Sequence, residues 1–284
     1  MAIVVVSNAG GSIAVGTTYV GGVAPTNLDS IAFTPTSGQL DIDSVVNIAG
    51  FDFTNHVGVI NFIQPITLNS PSNVHFINLG TGGYTLTGTP QITYSNTVTT
   101  SALSLTSNGI AWTGILRLAY STNPSSVITL VDDWNQDGLL TTINNVSLKF
   151  IGNSFSINGI FNGDSLGRCT IGITNTAIIK LNGTINLSSY LNFQGGTLKY
   201  VSGICNTPVL SITSTIGVIL DIAGLTIPTV NVTSVGVSFF LQLNSMPTFT
   251  TLVLSTNSFF PLVFKGGNGF ITSELRIITG FAIK

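Results

Sequence analysis

Apolar residues recur in pairs two positions apart along most of this chain, and small polar residues separate the pairs. The stretch Ala177–Val201, AIIKLNGTINLSSYLNFQGGTLKYV, is the clearest sample. Its pairs are Ile179/Leu181, Ile185/Leu187, Leu191/Phe193 and Leu198/Tyr200. A spacing of two is the side-chain period of a strand with one buried face. Asn-Gly, Ser-Ser and Gln-Gly-Gly fall at the breaks, where turn residues are expected. Looser versions run elsewhere: Leu40/Ile42, Val46/Ile48, Phe51/Phe53 and Val57/Val59, then ITL, VHFINL, YTLTG, QITYS, ALSLTS and ILRLAY between Ile66 and Tyr120. No helical period appears, so the pattern predicts an all-β protein.

Two architectures fit. In a β-solenoid-like stack of short strands, each coil lies on the next, and Ile, Val, Leu and Phe fill a continuous core. Jelly-roll or β-sandwich domains are the alternative. The breaks six or seven residues apart in Ala177–Val201 favour the solenoid. Three regions are expected: a Gly/Ser/Thr-rich N-terminal arm over 1–26, a main β domain over 27–235, and a Phe-rich segment over 236–284.

Composition strengthens the strand reading. Val, Ile, Thr and Phe are abundant, and Glu274 is the sole Glu. The chain has 284 residues, 44% hydrophobic and only 6% charged, where about 25% is ordinary. Ser, Thr and Asn carry the polar character instead. Mean hydropathy is +0.53. A surface so poor in charge suits a chain that works inside an assembly.

The net charge of −2, with Lys and Arg totalling 8 and no basic run, excludes phosphate neutralisation and with it a nucleic-acid partner. The apolar run of MAIVVVSNAGG stops at Val6 without a basic start, so no secretory signal is expected. The most apolar window, Val209–Ile227, holds Asp221 and two glycines and reads as strands, not a membrane span.

Candidate chemistry is sparse. Asp133-x-Asn135-x-Asp137-Gly138 matches the first half of a calcium loop, in which oxygens at alternate positions converge on a hard cation. Position twelve is Asn144 instead of the bidentate Glu, so Asp133, Asn135 and Asp137 are a candidate calcium site or else an Asx-rich turn. Asp41 and Asp43 read as a solvated face, and His56 and His75 as ordinary surface or half-buried imidazoles without partner ligands. Cys169 and Cys205 read as free thiols. No catalytic motif is present, and the acids are scattered, so an enzyme is not expected. No cofactor other than calcium is implied. Phe239, Phe240, Phe259 and Phe260, in a tail holding 8 of the 17 Phe, mark a candidate subunit interface.

Taken together, the unsignalled start, the low charge, the Gly/Ser/Thr/Asn-rich strands and the Phe-rich end resemble the fibre, spike and decoration proteins of tailed bacteriophages. The resemblance is one of overall composition. It implies a homo-oligomer, often a trimer, held in a virion with other virion proteins and contacting host glycans. An extracellular adhesin or S-layer-type glycan-binding protein is the alternative.

Overall fold

A computed structural model describes residues 2–69, 74–81, 83–96, 102–120, 127–143, 147–172, 177–214, 218–222, 224–234, 241–245, 248–256, 262–264 and 270–279. Strands dominate, and the one helical element among these residues is a 3-10 turn at Gly16–Thr18. Among the described residues the strands pair parallel, apart from an isolated antiparallel bridge between Val6 and Tyr19. The fold is a β-solenoid. Strands adjacent in sequence lie on different faces, and each pairs with its counterpart one coil away. A sandwich of hairpins would require antiparallel neighbours, so that alternative is set aside.

The chain divides into two compact units, Met1–Thr141 and Thr142–Lys284. In the first unit one sheet stacks Ile3–Val5, Ser30–Ala32, Gly50–Asp52, Val74–Asn78, Ala102–Thr106 and Val127–Leu130. A second stacks Gly11–Ser12, Leu40–Ile42, Val59–Phe62 and Thr85–Gly88, and a third Val46–Ile48, Ile66–Leu68, Gln91–Asn96 and Ile115–Tyr120. A full coil therefore takes one strand from each face. The coils vary in length: Ser30 lies beside Gly50, Gly50 beside Phe76, and Phe76 beside Ser104, steps of 20, 26 and 28 residues. That drift is why no strict repeat is visible in the sequence.

The interior of this unit sets large aromatic rings among Ile and Leu side chains. Phe51, Phe53, Phe62, Tyr94, Trp112 and Trp134 are all fully buried. Phe51 and Phe53 meet edge to face at 4.4 Å between centroids, and Trp112 lies 6.1 Å from Phe53 and 6.3 Å from Phe62. Such pairs contribute about 0.5–1.5 kcal/mol each beyond the area they bury.

The stretch expected as an N-terminal arm folds back instead. Residues 18–20 lie along the outer edge of the first strand, where Ser7 donates to the Thr18 carbonyl and Val20 to the Val5 carbonyl, both at 2.8 Å. The Tyr19 hydroxyl donates to the Ile13 carbonyl at 2.8 Å and the Thr18 hydroxyl to that of Ser12 at 2.7 Å. Ile13 and Tyr19 are buried beneath this cap.

In the second unit one sheet stacks Ser147–Leu148, Arg168–Ile171, Tyr190–Phe193, Val209–Ser214, Thr226–Ser234, Thr248–Thr256 and Phe270–Thr279. Another stacks Ser154–Ile157, Ile178–Leu181, Gly196–Tyr200, Val218–Asp221, Leu241–Ser245 and Leu262–Phe264. The third face carries Ile160–Asn162, Thr184–Asn186 and Ile204–Cys205, and within this unit it ends there. Beyond Cys205 the described residues of each coil form two strands, and those of the first sheet lengthen to 9, 9 and 10 residues. The boundary expected at 235/236 falls inside this unit.

The Asn-Gly breaks are corners of the coil, not hairpin turns. A Cβ at Gly183 would run into the carbonyl oxygen of Gly159, and one at Gly203 into that of Gly183. Glycine thus stacks on glycine because successive corners approach too closely for a side chain. Val209–Ile227, the most apolar window, is divided among three strands, and no helix of the described residues is long and apolar enough to cross a membrane.

Candidate functional site

The Asp133–Gly138 motif is not a loop. Trp134–Gln136 is a strand, with Trp134 and Gln136 fully buried and Asn135 facing outward between Asp133 and Asp137. Gln136 works inside the core, donating from Nε2 to the carbonyls of Gly114 at 3.0 Å and Leu139 at 3.3 Å and accepting from Trp134 Nε1 at 3.3 Å. Alternate positions on an extended strand stand about 6–7 Å apart. Calcium draws its oxygens to about 2.3–2.6 Å, which needs a chain curled around the ion. Gly138 is a corner glycine, set against the Gly114 carbonyl. The neighbouring Asp132 accepts the backbone N–H groups of Ser107 and Asn108, each at 2.7 Å, and so fastens one coil to the preceding turn. Among the described residues no group of three or more His, Cys, Asp or Glu is placed to hold a metal ion.

Several other charged groups are also tied into local structure. Asp164 accepts the backbone N–H of Leu166 and Arg168 and pairs with the Arg168 guanidinium at 2.7 Å. Burial pushes this carboxyl up, but the Arg168 hydrogen bonds outweigh it and hold the group below its ordinary value. Asp29 is held down chiefly by the Thr26 hydroxyl. Asp41 accepts from Gln39 at 2.6 Å and Asn61 at 3.2 Å, and Asp43 from Ser12 at 2.8 Å. Lys199 stands 3.6 Å from Asp221. None of these arrangements sets two carboxylates across a groove.

Both histidines are fully buried, where their sequence context suggested surface or half-buried groups. The His56 ring lies 4.1 Å from Phe33, and His75 meets Tyr94 edge-on at 5.4 Å. Burial lowers both, His75 to about 4, so each is a neutral core imidazole at pH 7. Cys169 and Cys205 are free, Cys169 buried and its thiol pushed up by burial and by Asp164. Phe239, Phe240, Phe259 and Phe260 lie outside the described residues.

The outer surface carries a feature that reading the chain segment by segment did not reveal. Polar side chains hydrogen-bond from coil to coil. Asn186 donates to Asn162 at 3.5 Å and Asn206 to Asn186 at 2.8 Å. Asn182 donates to Asn158 at 2.6 Å. In the first unit Thr87 donates to Asn61 and Asn61 to Asp41, both at 3.2 Å, while Asn108 donates to Asn78 at 2.9 Å and also to the Leu79 carbonyl. The signal was available as Asn recurring 24, 24 and 20 residues apart, one coil each time. No protein family, curated protein or solved structure matches the chain.

Proposed function

We propose that this chain is a non-enzymatic structural component of a virus particle, of the fibre, spike or decoration type found in tailed bacteriophages. It acts through an oligomeric β assembly. The observation that carries this reading is the coil-to-coil ladder of amides and hydroxyls, from Asn162 through Asn186 to Asn206. Each rung adds a side-chain hydrogen bond to the backbone pairing beneath it, worth about 0.5–1.5 kcal/mol. A stack reinforced by such rungs resists local opening, and its outer groups are neutral donors and acceptors suited to neighbouring subunits or sugar hydroxyls.

The test is the state of the protein under harsh conditions together with its action on glycans. A homo-oligomer that survives unboiled in detergent, with no polysaccharide turnover, is the expected result. Release of shorter glycans from capsular or cell-wall polysaccharide overturns the reading.

A glycan-binding adhesin is the second reading, favoured by the exposure of the Asn186 and Asn206 amides. It requires saturable glycan binding that Asn206→Ala weakens while the fold persists.

A further inference from the structure

We propose that the outward face of the strands Val209–Ser214, Thr226–Ser234 and Thr248–Thr256 is an ice-binding surface, which seats the ordered water of an ice crystal. Along these strands Leu210, Ile212, Val230, Val232 and Leu252 point inward and are buried. The alternate positions therefore face out. Pairing sets them in columns. Thr213, Thr233 and Ser255 form one, and Val209, Thr229 and Thr251 another. Ser211, Asn231 and Val253 run between the two. The partners follow one another without a register shift from Val209 to Thr213, from Thr229 to Thr233 and from Thr251 to Ser255.

Spacing is the first reason to name ice. Neighbouring strands lie about 4.8 Å apart, and alternate residues stand about 6.6 Å apart along a strand. Both repeats approximate those of the water oxygens on the prism faces of ice. One array of side chains thus meets the lattice in two directions at once.

Composition is the second reason. Six of these nine positions carry a hydroxyl, one an amide and two are Val, and none is charged or aromatic. A charged group would hold a hydration shell foreign to the ice lattice. A protein partner is typically met by aromatic residues, and a sugar pocket by rings and polar groups converging in a hollow. This face offers parallel rows instead. All nine residues are half-buried against their surroundings, and Thr and Val are stiff at χ1. The array is therefore set before water reaches it, which keeps the entropy cost of binding small. Chains adsorbed through this face pin the crystal. Ice then grows between them as curved fronts, and curvature lowers the freezing point. This function goes beyond the structural reading above and does not depend on it.

Slow freezing of a solution of the whole chain under a microscope tests it. The expected result is faceted ice and a freezing point held below the melting point. Asn231→Lys, at the centre of the array, should abolish that gap. Thr67→Lys, at an outward strand position in the first unit, should leave it unchanged. Should Asn231→Lys unfold the chain, Thr233→Ser keeps a hydroxyl but frees its rotamer, and it should narrow the gap. Round, freely growing crystals in the presence of the unaltered chain overturn the proposal. So does a gap indifferent to both substitutions on this face, or one that Thr67→Lys reduces as much as Asn231→Lys does. Saturable binding of a neutral polysaccharide that Asn231→Lys abolishes, with no effect on freezing, gives the face to sugar and overturns the proposal as well.

Discussion

The two units build the same kind of coil around different interiors. In Met1–Thr141 three faces surround Phe, Tyr and Trp rings, with two imidazoles among them. In Thr142–Lys284 the rings described as buried are Phe150, Phe155, Phe161 and Phe193. Between Leu198 and Leu252 the apolar side chains described as buried are Leu, Ile and Val. The change of filling coincides with the loss of the third face at Cys205. A coil with three sides encloses a wide section that rings are needed to fill at the density of a protein interior. A coil with two long strands is narrow, and branched aliphatic side chains meet across it. In the coils whose side chains are described, rings accompany three strands per turn and aliphatic side chains accompany two.

The largest test of this contrast is Trp112→Ala. Removing a fully buried indole from the wide section should cost about 3–5 kcal/mol by denaturant unfolding, whereas Leu220→Ala in the narrow section should cost nearer the lower end of the ~2–5 kcal/mol range for aliphatic truncation. Equal losses would break the proposed link between width and filling.

Acid should affect the first unit through its buried imidazoles. The folded-state pKa of His75 is depressed to about 4, below its ordinary 6.5, so the unfolded chain binds the proton more readily. Its contribution is complete above pH 6.5 and is lost as pH falls from there toward 4. The loss is on the order of 3 kcal/mol at 1.36 kcal/mol per pKa unit. His56 adds in the same direction. His75→Gln should flatten the stability profile across that window relative to the native chain, and an unchanged slope would refute the assignment.

Next in size is the corner column of the second unit. Gly183→Ala should cost about 1–3 kcal/mol, because the new methyl meets the Gly159 carbonyl. A neutral result would mean that the corners are less closely stacked than described. Asn186→Ala removes the central rung of its ladder and should cost about 1 kcal/mol, read as a small fall in Tm. Last, millimolar calcium should leave Tm unmoved, because Trp134–Gln136 is extended; a rise would place an ion between Asp133 and Asp137.

The all-β class and the solenoid were legible in Ala177–Val201 because its coils are short. There Ile179, Leu181, Ile185, Leu187, Leu191, Phe193 and Leu198 are all buried, as the period of two requires. Tyr200 departs, half-exposed, its hydroxyl donating to the Gly203 carbonyl at 2.8 Å. Asn-Gly was legible as a break between strands, but not as a stacked corner, because that packing is created by residues a whole coil away. His56 and His75 were misplaced for a related reason. Each is polar, yet His75 sits at an inward strand position and His56 is packed against Phe33. The pattern Asp133–Gly138 reads as ligand chemistry in sequence, whereas the strand Trp134–Gln136 spreads Asp133, Asn135 and Asp137 along one extended outward face. The polar ladders were invisible segment by segment, since their period is the coil itself.

The stacked corners at Gly159, Gly183 and Gly203 have an evolutionary consequence. Each corner meets only the one before it, so the span between two of them is a self-contained cassette. A duplication or deletion that begins and ends at such corners rejoins glycine to glycine and keeps every remaining strand in phase. A cut elsewhere shifts inward residues to the outside. Length can therefore change in whole coils while sequence drifts freely, which lets a lineage resize its protein long after any recognisable repeat has worn away.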